Sequence, residues 1–449
     1  MHALRQRLQS PLGILLAALA LFVLYAWPGY IGWDARDHLV QARLPSFSDG
    51  HPPFVILLVR ICDFFVRGPA LILLVQAVSL LVGLWLLFSS RLRPVPAALA
   101  SAGVFLFPPI AGVTALIAKD GMMAGFLMIA IAMLVRGRPG WGIAFTFLAA
   151  LMRWNSLPAT FAPVLLLFCW APSIRGLKRY AIALAAWIAV TVVAYEANAV
   201  LADRHEYFWY WSSAYQDIAG TIEYANLDDA TLDHTLAETP LRFHDRLNER
   251  FRAVYKPFHY FQLMRDGEGR LWDPPATEQQ RDAIATAWKA IVLENPAAYL
   301  RYRWDNFRYL NQIDHPETFS NVYVWFTVFA APETIAELHH DAWPSRIQDK
   351  LQRAAIWFSL TPIYWVFWYF ALCFLLLPFA RRRALEAALL LSAIGYQLSY
   401  FFLAQTTDYR YSSWMEVCAI ATAVLVGVRL VQRRRASRRT DSGESDPAA

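Results

Sequence analysis

Asp34, Asp37 and His38, followed by Asp49 and His51, set three carboxylates and two imidazoles in a stretch that begins where the first long apolar run ends. Carboxylates take protons from hydroxyls, and imidazoles shuttle protons or ligate metals, so general-base or metal chemistry is within reach of these residue types. Asp34, Asp37 and His38 are spaced three and four apart, which places them on one face of a short helix. Asp49-Gly50 signals a turn, and Pro52 or Pro53 suits the first position of a new helix. Taken alone, Asp34 and Asp49 read equally well as helix caps. The rest of the chain decides between the two uses.

The elements that must position these residues are membrane helices. A chain of 449 residues that is 57% hydrophobic and only 17% charged is too apolar for an ordinary soluble protein. The net charge of +6 is explained by Lys and Arg clusters between apolar runs, which mark cytoplasmic loops and require no nucleic acid. Cys62, Cys169, Cys373 and Cys418 all lie in apolar stretches without metal-type spacing and read as core residues.

The run 11–30 follows Arg5 and Arg7, lacks a cleavage site and predicts an uncleaved span with its N-terminus inside. In 53–67, Arg60, Asp63 and Arg67 form one charged stripe, the pattern of a helix lying in the interface. Further runs at 69–89, 95–117, 121–135, 141–152, 157–170 and 181–201 alternate direction, with basic clusters at Arg91 to Arg93, Arg136 to Arg138 and Arg175 to Arg179. The runs 356–379, 384–404 and 412–430 follow the same logic, ending at Arg381 to Arg383 and Arg433 to Arg435. The expected fold is an all-α polytopic membrane protein of roughly ten spans with both termini cytoplasmic. Residues 1–201 form an N-terminal membrane region whose first outer loop is 31–68, and 351–435 form a C-terminal membrane region. Residues 436–449 read as a disordered cytoplasmic tail.

Between the two membrane regions, 202–350 reads as a mainly helical outer segment. Thr277 to Gln280 is a capping box, and Asn295-Pro296 closes one helix and opens another. Arg301, Arg303 and Arg308 read as a solvated face. Asp228-Asp229 with Asp233-His234 lacks calcium-loop spacing, and His339-His340 reads as surface. The apolar stretch 321–331 is too short to cross a bilayer and is expected at the membrane surface or against this segment.

On this topology the informative polar clusters all fall on the outer side: the first-loop group, Lys119-Asp120, Arg153 with Asn155, and Asp408 with Arg410. Charges from distant segments that meet in one outer cavity would pair a base with cations. An acidic residue just after the first span, His51-Pro52-Pro53 before an interfacial helix, Lys119-Asp120, Arg153-x-Asn155 and a large outer segment resemble the GT-C superfamily. These membrane glycosyltransferases include the protein O-mannosyltransferases and the bacterial aminoarabinose transferase of lipid A. The resemblance covers most of the membrane portion and does not extend through the outer segment.

The resemblance implies a GT-C-like bundle, a polyprenyl-phosphate-linked sugar as donor, and a glycan, lipid or protein as acceptor. The catalytic base would be Asp34. Many relatives carry two adjacent acidic residues there, whereas Ala35-Arg36 separates Asp34 from Asp37 here, which leaves the role of Asp37 open. Lys119, Arg153 and Arg410 would stabilise the leaving phosphate. His38, Asp49, His51, Asp120, Asn155 and Asp408 complete the candidate substrate-binding set. Attack from the face opposite the leaving group predicts inversion at the anomeric carbon.

Some relatives need a divalent cation. Mg or Mn held by His38 and His51 with Asp34 or Asp49 stands as an alternative to hydrogen-bonded helix-end histidines. Composition points to a bacterial inner membrane with the active face in the periplasm. Two rival readings remain: an O-antigen ligase or polymerase, for which Asp34 has no special role, and a transporter. A transporter should show polar, broken helices near the midplane and a repeated half, whereas Pro108-Pro109 is the main interruption and no internal repeat is evident.

Overall fold

The N-terminal helix, α1 (Pro11–Ala26), is capped by Ser10, whose hydroxyl accepts from the Gly13 N–H at 3.0 Å. Proline at the first or second position opens several of the apolar helices, where a missing N–H costs nothing. A computed structural model describes residues 10–228, 230–232, 249–258, 270–313 and 346–441. After α1 come the short polar α2 (Trp33–Arg43), α3 (Pro53–Phe65) and the long apolar α4 (Ala70–Phe88). Next are α5 (Pro94–Phe105), α6 (Pro108–Ala115), α7 (Lys119–Val135), α8 (Pro139–Met152), α9 (Leu157–Leu167) and α10 (Leu177–Leu201).

The segment that follows contributes α11 (Phe208–Trp211), α12 (Ser213–Ala225), α13 (Glu249–Val254), α14 (Glu278–Glu294), α15 (Pro296–Leu310) and α16 (Arg346–Ser359). The chain returns through α17 (Val366–Ala380), α18 (Ala384–Leu403), a 3₁₀ turn at Tyr409–Ser412 and α19 (Ser413–Asp441).

This is a multi-pass membrane protein. By length and apolarity α4, α10, α18 and the Tyr409–Arg434 stretch each suffice to cross a bilayer, and α5 with α6 makes a fifth if the bent pair counts as one span. The expected count of roughly ten additionally needs shorter apolar helices such as α1, α8, α9 and α17, each below the roughly 20 residues that a perpendicular crossing requires. The expected 95–117 span is broken: α5 and α6 meet at 66°. Pro108 supplies no N–H and holds Phe107 out of the helical region, so the helix must stop and restart.

The membrane core is one large apolar cluster, with a smaller one at Leu134, Val164, Phe168 and Ala183. α4 and α7 approach closely because Gly83 faces the Ile129 backbone and Gly125 faces the Leu80 backbone; a Cβ at either would lie within 3.0 Å of backbone nitrogen. The segment after α10 has its own core, built on Tyr215, Ile218, Ile222, Trp272, Ile284 and Ile291. The expected capping box forms, with Thr277 Oγ1 accepting from Gln280 N at 3.2 Å and Gln280 Oε1 accepting from Thr277 N at 3.1 Å. Asp228 is a cap, accepting from Thr231 N at 2.8 Å. Asp229, Asp233-His234, His339-His340 and 321–331 lie outside the described residues. Cys62, Cys373 and Cys418 are buried, as expected of core residues, and Cys169 is partly buried; all four are free thiols.

Candidate active site

Two backbone ties bring the first loop to its partners. Tyr30 N donates to Ala115 O at 2.8 Å, and Ile117 N donates to Tyr30 O at 3.0 Å. This bridge sets the start of α2 beside the start of α7, and therefore Asp34 beside Lys119. Gly29 adopts φ +122°, a conformation open to glycine, and a Cβ there would collide with Ile117. At the other end of the loop, Phe47 and Asp49 pair with Asp203 and Arg204 after α10, including Asp49 N to Arg204 O at 3.1 Å. α2 is then locked to α3 by Arg43, whose guanidinium grips Asp63 twice, at 2.9 and 3.0 Å. The Asp63 of the charged stripe is thus an anchor, and Arg60 lies 4.1 Å over the Phe47 ring rather than facing outward.

The expected helix carrying Asp34, Asp37 and His38 forms as α2, and Asp34 is the centre of a charge cluster. Its Oδ2 lies 2.8 Å from Arg410 Nη1 and 3.2 Å from Lys119 Nζ. Arg410 Nε in turn is 2.9 Å from Asp408 Oδ2 and 4.0 Å from Asp120 Oδ2. Asp120, 1% exposed, is paired with Arg153, which also donates from Nε to Asn155 Oδ1 at 2.8 Å. Lys119 Nζ reaches His51 Nδ1 at 2.8 Å, and His51 Nε2 is 3.4 Å from Asp37 Oδ2, which also accepts from Gln41 at 2.7 Å. His38 packs edge-on against His51 with ring centroids 4.6 Å apart; it is fully buried, and among the described residues neither ring nitrogen has a hydrogen-bond partner.

Of the sequence-predicted residues, Asp34, Asp37, His38, His51, Lys119, Asp120, Arg153, Asn155, Asp408 and Arg410 are joined in this one network. Asp49 is directed elsewhere, to His205 Nδ1 at 2.8 Å and Glu206 N at 2.6 Å. Sequence reasoning missed the aromatic wall: Tyr411 sits beneath both guanidiniums, with Arg153 Cζ at 5.3 Å and Arg410 Cζ at 5.6 Å from its ring, and Tyr400 stacks on it at 5.0 Å. The i,i+4 spacing of Tyr396 and Tyr400, whose hydroxyls meet at 2.8 Å, was the available signal.

The innermost charges balance, Asp34, Asp120 and Asp408 against Lys119, Arg153 and Arg410. Burial alone would push the Asp34 carboxyl up, but Arg410 and then Lys119 outweigh it and hold it well below the usual 3.8. Burial, with Lys119 adding to it, pulls His38 down to about 3 and His51 well below 6.5, so both imidazoles are neutral. Burial raises Asp37, partly offset by the Gln41 hydrogen bond.

No protein family matches the chain by sequence, and no curated protein matches it. Among solved structures, it is similar to the archaeal oligosaccharyltransferase AglB from Archaeoglobus fulgidus, in complex with an inhibitory peptide and a dolichol-phosphate. Identity is 12%, the TM-score is 0.38, and the match covers 98% of this chain but 52% of that one. The chain thus spans about half the length of AglB.

The residues do not fit a divalent ion. Among the described residues no group of three or more His, Cys, Asp or Glu is placed to hold a metal. Lys119 Nζ contacts both Asp34 and His51, so an ammonium already engages two of the groups that Mg or Mn would need as ligands.

The depressed groups dictate the acid response of the fold. The unfolded chain binds protons at His38 from its ordinary 6.5 downward, whereas the folded protein resists until about 3, so stability falls progressively through that window as pH drops. Asp34 acts in the same direction at lower pH: its contribution is complete above 3.8 and is lost as pH falls through its depressed folded value. Thermal melts of the detergent-solubilised protein should therefore drop steadily below pH 6.5. His38→Phe, which removes one of the two buried imidazoles, should lessen the part of that slope above about pH 3 and leave the part due to His51.

Proposed function

We propose that this chain is an integral-membrane glycosyltransferase that moves a sugar from a polyprenyl-phosphate donor to a hydroxyl acceptor. Asp34 is the general base and the reaction occurs on the periplasmic face of a bacterial inner membrane. The observation that carries this reading is the meeting of Asp34 with Lys119 and Arg410, a carboxylate from the first loop and cations from two distant segments.

With its cations engaged, Asp34 is a poor base. A donor phosphate competes for the same ammonium and guanidinium and takes over the hydrogen bonds that now hold Asp34 Oδ2. The released carboxylate regains ordinary basicity next to the anomeric carbon that the phosphate presents. It takes the acceptor hydroxyl proton as the new glycosidic bond forms, and Lys119 and Arg410 stabilise the charge gathering on the leaving polyprenyl phosphate. Asp408 and Asp120 approach Arg410 Nε at 2.9 and 4.0 Å and help hold it in place, and Arg153 is paired with Asp120. One carboxylate and in-line displacement give inversion at the anomeric carbon, and a product that retains configuration would contradict this assignment.

The test is transfer of radiolabel from undecaprenyl-phosphate-linked glucose, mannose or galactose to endogenous acceptors in membranes containing the protein. Arg410→Ala should lower transfer by about 100-fold, the usual cost of removing one preorganised donor to a developing anion. Arg410→Lys should restore only part of it, because an ammonium cannot grip the phosphate with two directed, parallel N–H groups. The bend of 66° between α5 and α6 favours a second reading as a transporter. Substrate uptake without glycosyl product would decide for it.

A further inference from the structure

Asp34 has to dispose of the proton it takes, and it is largely enclosed, with 18% of its side chain exposed. Any catalytic base that turns over must return its proton to solvent each cycle. Lys119 contacts Asp34 on one side and His51 on the other, at 3.2 and 2.8 Å. An ammonium has only donors, so the His51 Nδ1 facing it must accept, and the proton of the neutral ring resides on Nε2. His51 Nε2 lies 3.4 Å from Asp37 Oδ2, an ion-pair distance, and the Asp37 side chain is 47% exposed. The four groups thus follow one another at 3.2, 2.8 and 3.4 Å from the enclosed carboxylate to a side chain that reaches water.

We propose that Asp34, Lys119, His51 and Asp37 form a proton relay that carries the acceptor proton out of the site. It rests on the glycosyltransferase reading of Asp34 and gives Asp37 and His51 the role of exit path rather than second base or metal ligand.

In the transfer step the acceptor O–H bond breaks, its proton joins Asp34, the acceptor oxygen bonds the anomeric carbon, and the polyprenyl phosphate departs with the bonding electron pair. In the relay step Lys119 gives a proton to His51 Nδ1, His51 Nε2 gives its proton to Asp37, and Lys119 takes the proton from Asp34. Asp37 releases it to solvent. Lys119 ends as ammonium, His51 ends neutral with its proton on Nδ1, and Asp34 is again a carboxylate. A ring flip or proton exchange at His51 restores its starting tautomer. The raised pKa of Asp37, caused first by its burial, suits a group that holds a proton briefly before release. His38 packs edge-on against His51, without a hydrogen bond of its own among the described residues, and keeps that ring upright in the file.

The relay is tested with His51→Gln, His51→Gly and Asp37→Asn in membranes supplied with the same three undecaprenyl-phosphate sugars. Glutamine still accepts from Lys119 and donates towards Asp37 but passes no proton. The relay therefore requires His51→Gln to lower the saturated transfer rate by about 10-fold or more with the donor KM unchanged. The solvent deuterium isotope effect on that rate should increase, since proton exit becomes limiting. Free imidazole should restore transfer in His51→Gly and leave Asp37→Asn unaffected, and recovery of His51→Gly by imidazole would also show that this variant folds.

Transfer by His51→Gln at the full rate with an unchanged isotope effect would overturn the relay and leave Asp34 as base. A rise in donor KM with an unchanged saturated rate would likewise overturn it, making His51 a positioning residue for Lys119. Absence of transfer by the unaltered protein would overturn the glycosyltransferase reading together with the relay.

Discussion

Asp34→Asn should reduce glycosyl transfer by about 100- to 10,000-fold, the range over which a positioned general base accelerates such a step. The change is nearly isosteric and removes both the charge and the capacity to take a proton. Its second effect runs the other way. Asp34 Oδ2 is the group that occupies Arg410 and Lys119 in the protein without donor. Replacing it by a neutral amide removes the carboxylate that competes with the donor phosphate for both cations, so donor binding should hold or tighten while the catalytic rate collapses. Measuring the saturated transfer rate and the donor KM separately exposes this split, which simple misfolding would not produce. Transfer by Asp34→Asn at the native rate would move the chemistry elsewhere and would favour an O-antigen ligase or polymerase reading, in which Asp34 has no task.

Arg303→Met should destabilise the folded protein by about 3–5 kcal/mol, because it leaves the Asp217 carboxylate buried without its partner. Asp217 and Arg303 are 5% and 1% exposed and are paired between α12 and α15. Trp288 Nε1 donates to the other Asp217 oxygen at 2.9 Å. Arg303 also donates to Ala404 O at 2.7 Å, joined there by Asn306 Nδ2 at 3.1 Å. Ala404 ends α18 and begins the connection that bears Asp408 and Arg410. Gln405 donates to Ser213 Oγ at 2.6 Å, and Thr407 N to Phe258 O at 2.9 Å, so the segment after α10 holds this connection at several points.

Loss of Arg303 should therefore lower the melting temperature and also slow transfer by loosening Arg410. The double variant Asp217→Leu, Arg303→Met removes both charges, and replacing a buried pair by apolar groups is often neutral. It should recover most of the stability. Transfer should recover less, because the hydrogen bond to Ala404 O stays lost. Equal recovery of both would show that Arg303 acts on the fold alone.

Arg303 is also where sequence reading erred most clearly. Its helix carries Arg301, Arg303 and Arg308, a pattern that reads as a solvated basic face, yet Arg303 is among the most buried side chains of the chain. Helical spacing reports which residues share a face. It does not report whether that face meets water or a carboxylate from another helix. The same limit applies to Asp49, which helix-cap and site readings both fitted. Its partners, His205 and Glu206, lie more than 150 residues further on. Arg60 and Asp63 fitted an interfacial stripe, but both are spent on fastening α3 to the first loop.

Other features were legible because their causes are local. Long apolar runs declare membrane helices, since a backbone in hydrocarbon must satisfy its own hydrogen bonds and only apolar side chains tolerate the surroundings. The Thr277 capping box and the Asp34 to His38 helix each depend on residues within one turn of one another. Polar groups at the ends of apolar runs stand out for the same reason, so Asp34, Lys119, Arg153 and Arg410 could be named from the sequence alone. The pairings among them could not. Asp34 and Arg410 are separated by 376 residues, and their contact depends on the Tyr30 bridge to Leu116 and on the packing of α18 and α19. So does the file through Lys119 and His51 to Asp37. Side-chain charge is a property of the residue, whereas the distance between two charges is set by every helix packed between them.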